Sequence, residues 1–116
     1  MARFGMIFTP GWDKVSKERI IPESVLKMLQ TTGRPEIYQL GYMGKSSMKW
    51  WPGEKGISNR YQWDAILPDG DLYKAGVGGQ GLYISPSRDL VIVWFCHSDG
   101  ENREQSMARA IAKSLK

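Results

Sequence analysis

The stretch DLYKAGVGGQGLYISPSRDLVIVWFC, Asp71 to Cys96, constrains the fold of this chain more than any other. It predicts consecutive antiparallel strands. Asp71 to Val77 is one, Leu82 to Ser85 a second and Asp89 to Cys96 a third. Pro86-Ser87-Arg88 supplies the turn between the last two, because proline presets φ for a turn and cannot donate to a ladder. Val91, Ile92, Val93, Trp94 and Phe95 form an unbroken apolar run, the pattern of a strand covered on both faces by helices.

Gly76, Gly78, Gly79 and Gly81 fall within six residues and cost backbone entropy inside a strand. Two readings account for them. One is a hairpin turn that needs positive φ. The other is a strand edge lining a site, with bare N–H groups aimed at an anion or oxyanion.

The rest of the chain is read around that core. Met1 to Thr9 places Phe4, Ile7 and Phe8 on one side at helical spacing, and Pro10-Gly11 ends the element. Trp12 to Arg19 is a polar connection. Ile20-Ile21-Pro22-Glu23 opens a second helix, with Val25, Leu26, Met28 and Leu29 as its apolar face. From Pro35 to Asn59, frequent glycine and proline predict a long loop carrying Tyr38, Tyr42, Met43, Met48, Trp50 and Trp51. Those aromatics either pack the loop onto the body or line a pocket. Tyr61 to Leu67 alternates like a strand, and Pro68-Asp69-Gly70-Asp71 makes a hairpin turn. His97-Ser98-Asp99-Gly100 ends the sheet. Asn102 with Gln105 forms a capping-box variant for a last helix, striped with Met107, Ala108, Ile111, Ala112 and Leu115. The predicted fold is therefore α+β: an antiparallel sheet of three to four strands, with N-terminal helices and a C-terminal helix packed on it.

At 116 residues the chain matches one domain, residues 1–116, able to bury a core. The net charge of +4 is scattered rather than gathered into a stripe, which argues against nucleic acid as a partner. One cysteine excludes an internal disulfide framework, and the lone histidine leaves no zinc spacing, so neither a metal nor another cofactor is expected. No apolar run is long enough to span a membrane, and no leader pattern follows Met1. If complete as it stands, the chain is expected in the cytoplasm. Cys96 and His97 are sequence neighbours on opposite sides of a strand, the wrong geometry for a nucleophile–base pair.

Lys74-Ala75-Gly76 is close to K-T-G, and Gly78-Gly79-Gln80-Gly81 to a G-G-Q-G variant of the same element. With the strand, proline turn and final strand that follow, this segment resembles the third conserved element of the serine β-lactamase-related hydrolases. Those include class C β-lactamases, esterases and 6-aminohexanoate-dimer hydrolases. ARFG (Ala2 to Gly5), IIPESVLKML (Ile20 to Leu29) and YQWDAIL also resemble family segments. The resemblance therefore spans nearly the whole chain.

It implies a site wall rather than a complete site. In that family a Ser-x-x-Lys supplies nucleophile and base, a Tyr-x-Asn relays the proton, and the K-T-G-like strand gives an oxyanion N–H. By resemblance the wall is Lys74, Gly76, Val77, Gly78, Gly79 and Gln80. The Val77 N–H would be the oxyanion donor and Gln80 a structural polar residue beneath it. Lys74 would either hold a substrate carboxylate or stand as a solvated strand lysine. Trp50, Trp51, Tyr61 and Trp63 are candidate pocket aromatics. Ser24-Val25-Leu26-Lys27 and Ser46-Ser47-Met48-Lys49 match Ser-x-x-Lys as strings, but with ten serines and nine lysines about one match is expected by chance. No Tyr-x-Asn occurs.

The expectation is thus the C-terminal part of such a hydrolase, with a small acyl substrate only in the full-length parent. Alone it should be catalytically silent and self-associate through an exposed sheet edge. A binding module built on the Trp50-Trp51 loop, and an active hydrolase using Ser24 or Ser46, are the alternatives.

Overall fold

The structure is a computed structural model that describes residues 1–96 and 103–115. Its centre is a four-stranded antiparallel meander: β1 (Ala65–Ile66), β2 (Leu72–Ala75), β3 (Gly81–Ser85) and β4 (Leu90–Trp94), in that spatial order. The register pairs Leu72 with Ile84, and Ile84 in turn with Val91. Helices α1 (Ala2–Met6), α2 (Glu23–Thr31), α3 (Pro35–Tyr38), α4 (Tyr42–Trp50) and α5 (Glu104–Ser114) surround it. The α+β class expected from the sequence is the observed one.

Because strand side chains alternate, the sheet has two apolar faces and the chain covers both. Ile66, Leu72, Leu82 and Ile84 pack with Phe8, Leu29 and Trp63, with Ile7, Ile21 and Leu26 at the margin. Ala65, Leu67, Tyr73 and Tyr83 pack with Tyr38, Trp51, Ala108 and Ala112. The result is three layers: α1 and α2, the sheet, then α3, α4 and α5.

Helix α1 lies so close to the sheet that a Cβ on Gly5 would stand 2.6 Å from a Val91 methyl. Helix α5 is pinned by a different device. Asp71, wholly buried just ahead of β2, accepts hydrogen bonds from the Tyr83 hydroxyl at 2.6 Å and the Ser85 hydroxyl at 2.7 Å. The Arg109 guanidinium donates to it at 2.9 Å and reaches Asp69 and Glu54 as well. A buried carboxylate is tolerable only with its lone pairs met in this way.

Several expectations need correction. Pro35–Asn59 is not one long loop, because it contains α3 and α4. Gly44 permits their contact: a Cβ there would lie 2.1 Å from the Tyr38 carbonyl oxygen. Tyr61–Leu67 is not a continuous strand. Tyr61 and Gln62 have φ of +47° and +69°, which breaks the extended backbone and leaves only Ala65–Ile66 paired. The β4 run has helices on both faces, but as an edge strand it is only half-buried, and Phe95 is 68% exposed.

The buried face of α5 is Gln105, Ala108, Arg109 and Ala112, while Met107, Ile111 and Leu115 are exposed. The charge network at Arg109 rotates the helix away from its apolar stripe. Gln105 donates to the Tyr73 hydroxyl at 3.0 Å, so it does no capping. The expectations at His97, Ser98, Asp99, Gly100 and Asn102 lie outside the described residues.

Candidate functional site

The glycine-rich segment is a hairpin turn between β2 and β3, closed by a Gly76 N–H to Gln80 carbonyl bond of 2.9 Å. Gly78 and Gly79 take φ of +83° and +90°, which glycine adopts without strain. Gly81 lies under the Trp94 ring, and the Gln80 side chain lies over Gly76. The turn reading therefore accounts for the spacing of the glycines. It also leaves Val77 in the turn, two residues beyond β2 and 96% exposed, with an N–H that donates to no acceptor among the described residues.

The outer edge of β2 has two halves. β1 covers Leu72 and Tyr73. Beyond it, a carboxylate takes over: Asp64 Oδ2 accepts the Ala75 N–H at 2.7 Å and the Lys74 ammonium at 2.8 Å. Sequence alone does not single out Asp64. Its signal was an acid amid the apolar residues of YQWDAIL. Lys74 is thus paired with a largely buried carboxylate, while its own side chain is 44% exposed.

The Lys74 stem emerges on the same sheet face as Leu72 and Leu82, beside a cleft of about 340 Å³. Phe4, Phe8, Tyr61, Trp63 and Leu82 supply its walls. Trp63 meets Phe8 edge to face at 5.2 Å, and Phe8 meets Phe4 the same way at 5.5 Å. Such pairs each add about 0.5–1.5 kcal/mol beyond area burial, which fixes the cleft floor. Tyr61 is exposed at the rim with the Arg60 guanidinium over its ring.

Of the four candidate aromatics, Tyr61 and Trp63 join Lys74 here. Trp50 and Trp51 do not. They lie on the opposite face, edge-on to Tyr73, with the Trp51 indole N–H donating to the Gln105 carbonyl at 2.9 Å. Trp51 is 2% exposed and belongs to the core, and Trp50 is partly buried against it.

The Ser-x-x-Lys strings are not assembled for chemistry. Ser24 and Lys27 are both exposed on α2, and neither Ser24 nor Ser46 hydrogen-bonds the lysine of its string. Cys96 sits 3.1 Å from the Gly79 carbonyl and 3.3 Å from a Glu104 carboxylate oxygen. Desolvation, then that carboxylate, push its thiol up, away from the nucleophilic thiolate. Among the described residues no cluster of His, Cys, Asp and Glu could hold a metal, and no helix is long and apolar enough to cross a membrane.

Comparison with known proteins found no matching family model, no matching curated protein and no matching solved structure.

Proposed function

We propose that this chain forms one wall of the acyl-transfer site of a serine β-lactamase-related hydrolase. The substrate is an ester, a small amide or a β-lactam, attacked by a serine outside these 116 residues. The wall is the end of β2 and its turn, Lys74 to Gln80. In this reading the Val77 N–H stabilises the oxyanion, and Asp64 fixes the strand end from which it projects.

The observation that carries the proposal is the exposed Val77 N–H, unbonded among the described residues and placed in the turn directly after Lys74-Ala75-Gly76. By the resemblance, this N–H holds the position of the family's oxyanion donor. The order strand, glycine turn, strand, proline turn, strand and C-terminal helix supports the same reading.

The test is to read the DNA in frame upstream of the Met1 codon. A Ser-x-x-Lys followed by a Tyr-x-Asn is the expected result. A stop codon or an unrelated gene boundary directly upstream would overturn it. In a second arm, a fluorophosphonate is expected to label neither Ser24 nor Ser46 in the purified chain; labelling of either would place the nucleophile within it.

A further inference from the structure

We infer that the cleft beside Lys74 binds an uncharged, apolar acyl or aryl group and rejects ligands bearing a carboxylate. The inference rests on the proposed acyl-transfer site and narrows its substrate class.

Charge placement carries the argument. Apart from Lys74, the cleft is lined by aromatic and aliphatic side chains and the neutral amide of Gln62, and a second cation, the Arg60 guanidinium over the Tyr61 ring, stands at the rim and not in the lining. The Lys74 ammonium is bound at 2.8 Å by Asp64, whose side chain is only 18% exposed. The Lys74 ammonium has further N–H donors and its side chain is 44% exposed, but Asp64 already neutralises it, so a ligand carboxylate would enter beside a second carboxylate and against apolar walls, which is costly. Position 75 is alanine, so the strand offers no hydroxyl to a ligand anion, and Asp64 occupies the Ala75 N–H. The edge that would receive a carboxylate already holds one.

The rim has a second feature. Tyr61 and Gln62 are consecutive non-glycine residues in the left-handed region. Backbone of this kind costs on the order of 1–3 kcal/mol per residue and persists where surrounding structure imposes it, commonly at ligand sites. Here it swings Tyr61 and Gln62 onto the mouth of the cleft while Trp63 stays in the floor.

The experiment compares phenylacetamide with phenylacetate, two probes of one shape that differ in charge and cannot acylate the protein. Binding to the 116-residue chain is followed by NMR at the Trp63 indole N–H and the Leu82 methyls. Phenylacetamide should shift both with a Kd in the millimolar range, and phenylacetate should bind about tenfold more weakly or not at all. Asp64→Asn keeps an acceptor for the Ala75 N–H and releases Lys74, so it should abolish or invert the preference. Lys74→Met should retain phenylacetamide and still exclude phenylacetate, and a dispersed amide spectrum checks the fold of each variant.

Equal binding of the two probes to the native chain would overturn the inference. So would the absence of any shift at Trp63 and Leu82, or a preference unchanged in folded Asp64→Asn. None of these readouts needs a nucleophile, so they can fail while the upstream reading succeeds, and the reverse.

Discussion

Arg109 Nη1 stands 2.9 Å from Asp71 Oδ2, joining the C-terminal helix to the root of the central hairpin through a wholly buried carboxylate. The pair is stabilising only because it is complete. Arg109→Ala should cost about 3 kcal/mol, the lower end of the range for breaking a buried pair, because Arg88 remains 3.3 Å from Asp71. Urea unfolding gives the number. A loss below about 1 kcal/mol would mean that water already compensates Asp71.

The same network sets the acid limit of the fold. Burial disfavours charge at Glu54 and at Asp69. Hydrogen bonds from Arg109 and Lys113 at Glu54, and from Arg109 and Arg88 at Asp69, more than offset it and hold both carboxyls below their ordinary values of 4.5 and 3.8. Groups with a lower pKa in the folded state than in the unfolded state add stability that is complete above the unfolded values. That stability is lost as pH falls through the folded ones. The urea midpoint should therefore stay level from neutral pH to about 5.5 and fall steadily below about 4.5. In Arg109→Ala the acid slope should be shallower. An unchanged slope would place the acid sensitivity elsewhere.

Trp94 stacks on Tyr73 at 5.9 Å with its ring against Gly81, where an added Cβ would lie 2.1 Å from Cζ2. Gly81→Ala must displace that ring, at a cost of about 1–3 kcal/mol for overpacking. Trp94→Leu removes the obstacle, so Gly81→Ala should cost much less in that background. Thermal melts of the four proteins of the cycle measure the coupling. Simple additivity would show that the ring is not what demands glycine.

The hairpins around Pro68-Asp69-Gly70 and Pro86-Ser87-Arg88 were legible because proline and glycine act locally, and so was α2. Helix α4 was not, because Gly44 reads as a helix breaker until α3 is placed against it. The partition of the aromatics was hidden for a related reason. Periodicity within one segment does not say which sheet face a neighbouring helix will cover, so nothing in the sequence separates Trp50 and Trp51 from Tyr61 and Trp63. Nothing local marks the role of Asp64, because that role depends on the register of β2. On α5, one arginine with three acidic partners outweighed an apolar stripe.

That stripe bears on the last prediction. No strand pairs with the outer edge of β4 among the described residues. The Gly76–Gln80 bond sets the ladder phase, so Leu90, Ile92 and Trp94 bond towards β3 while Val91 and Val93 direct their N–H and C=O groups outward. β4 contains no lysine, proline or bulge to blunt the edge. Phe95 is exposed beyond it, as are Met107, Ile111 and Leu115 on α5. An uncharged edge strand with exposed apolar side chains nearby templates pairing with a like strand. The isolated chain should therefore run as a dimer or larger species in light scattering, and dissociate on dilution. Val93→Pro removes an outward donor without breaking a β3 bond, and Phe95→Lys puts a charge beside the edge; each should shift the population to monomer with the fold retained. A native chain that is monodisperse as a monomer at all concentrations would show that the edge is silent.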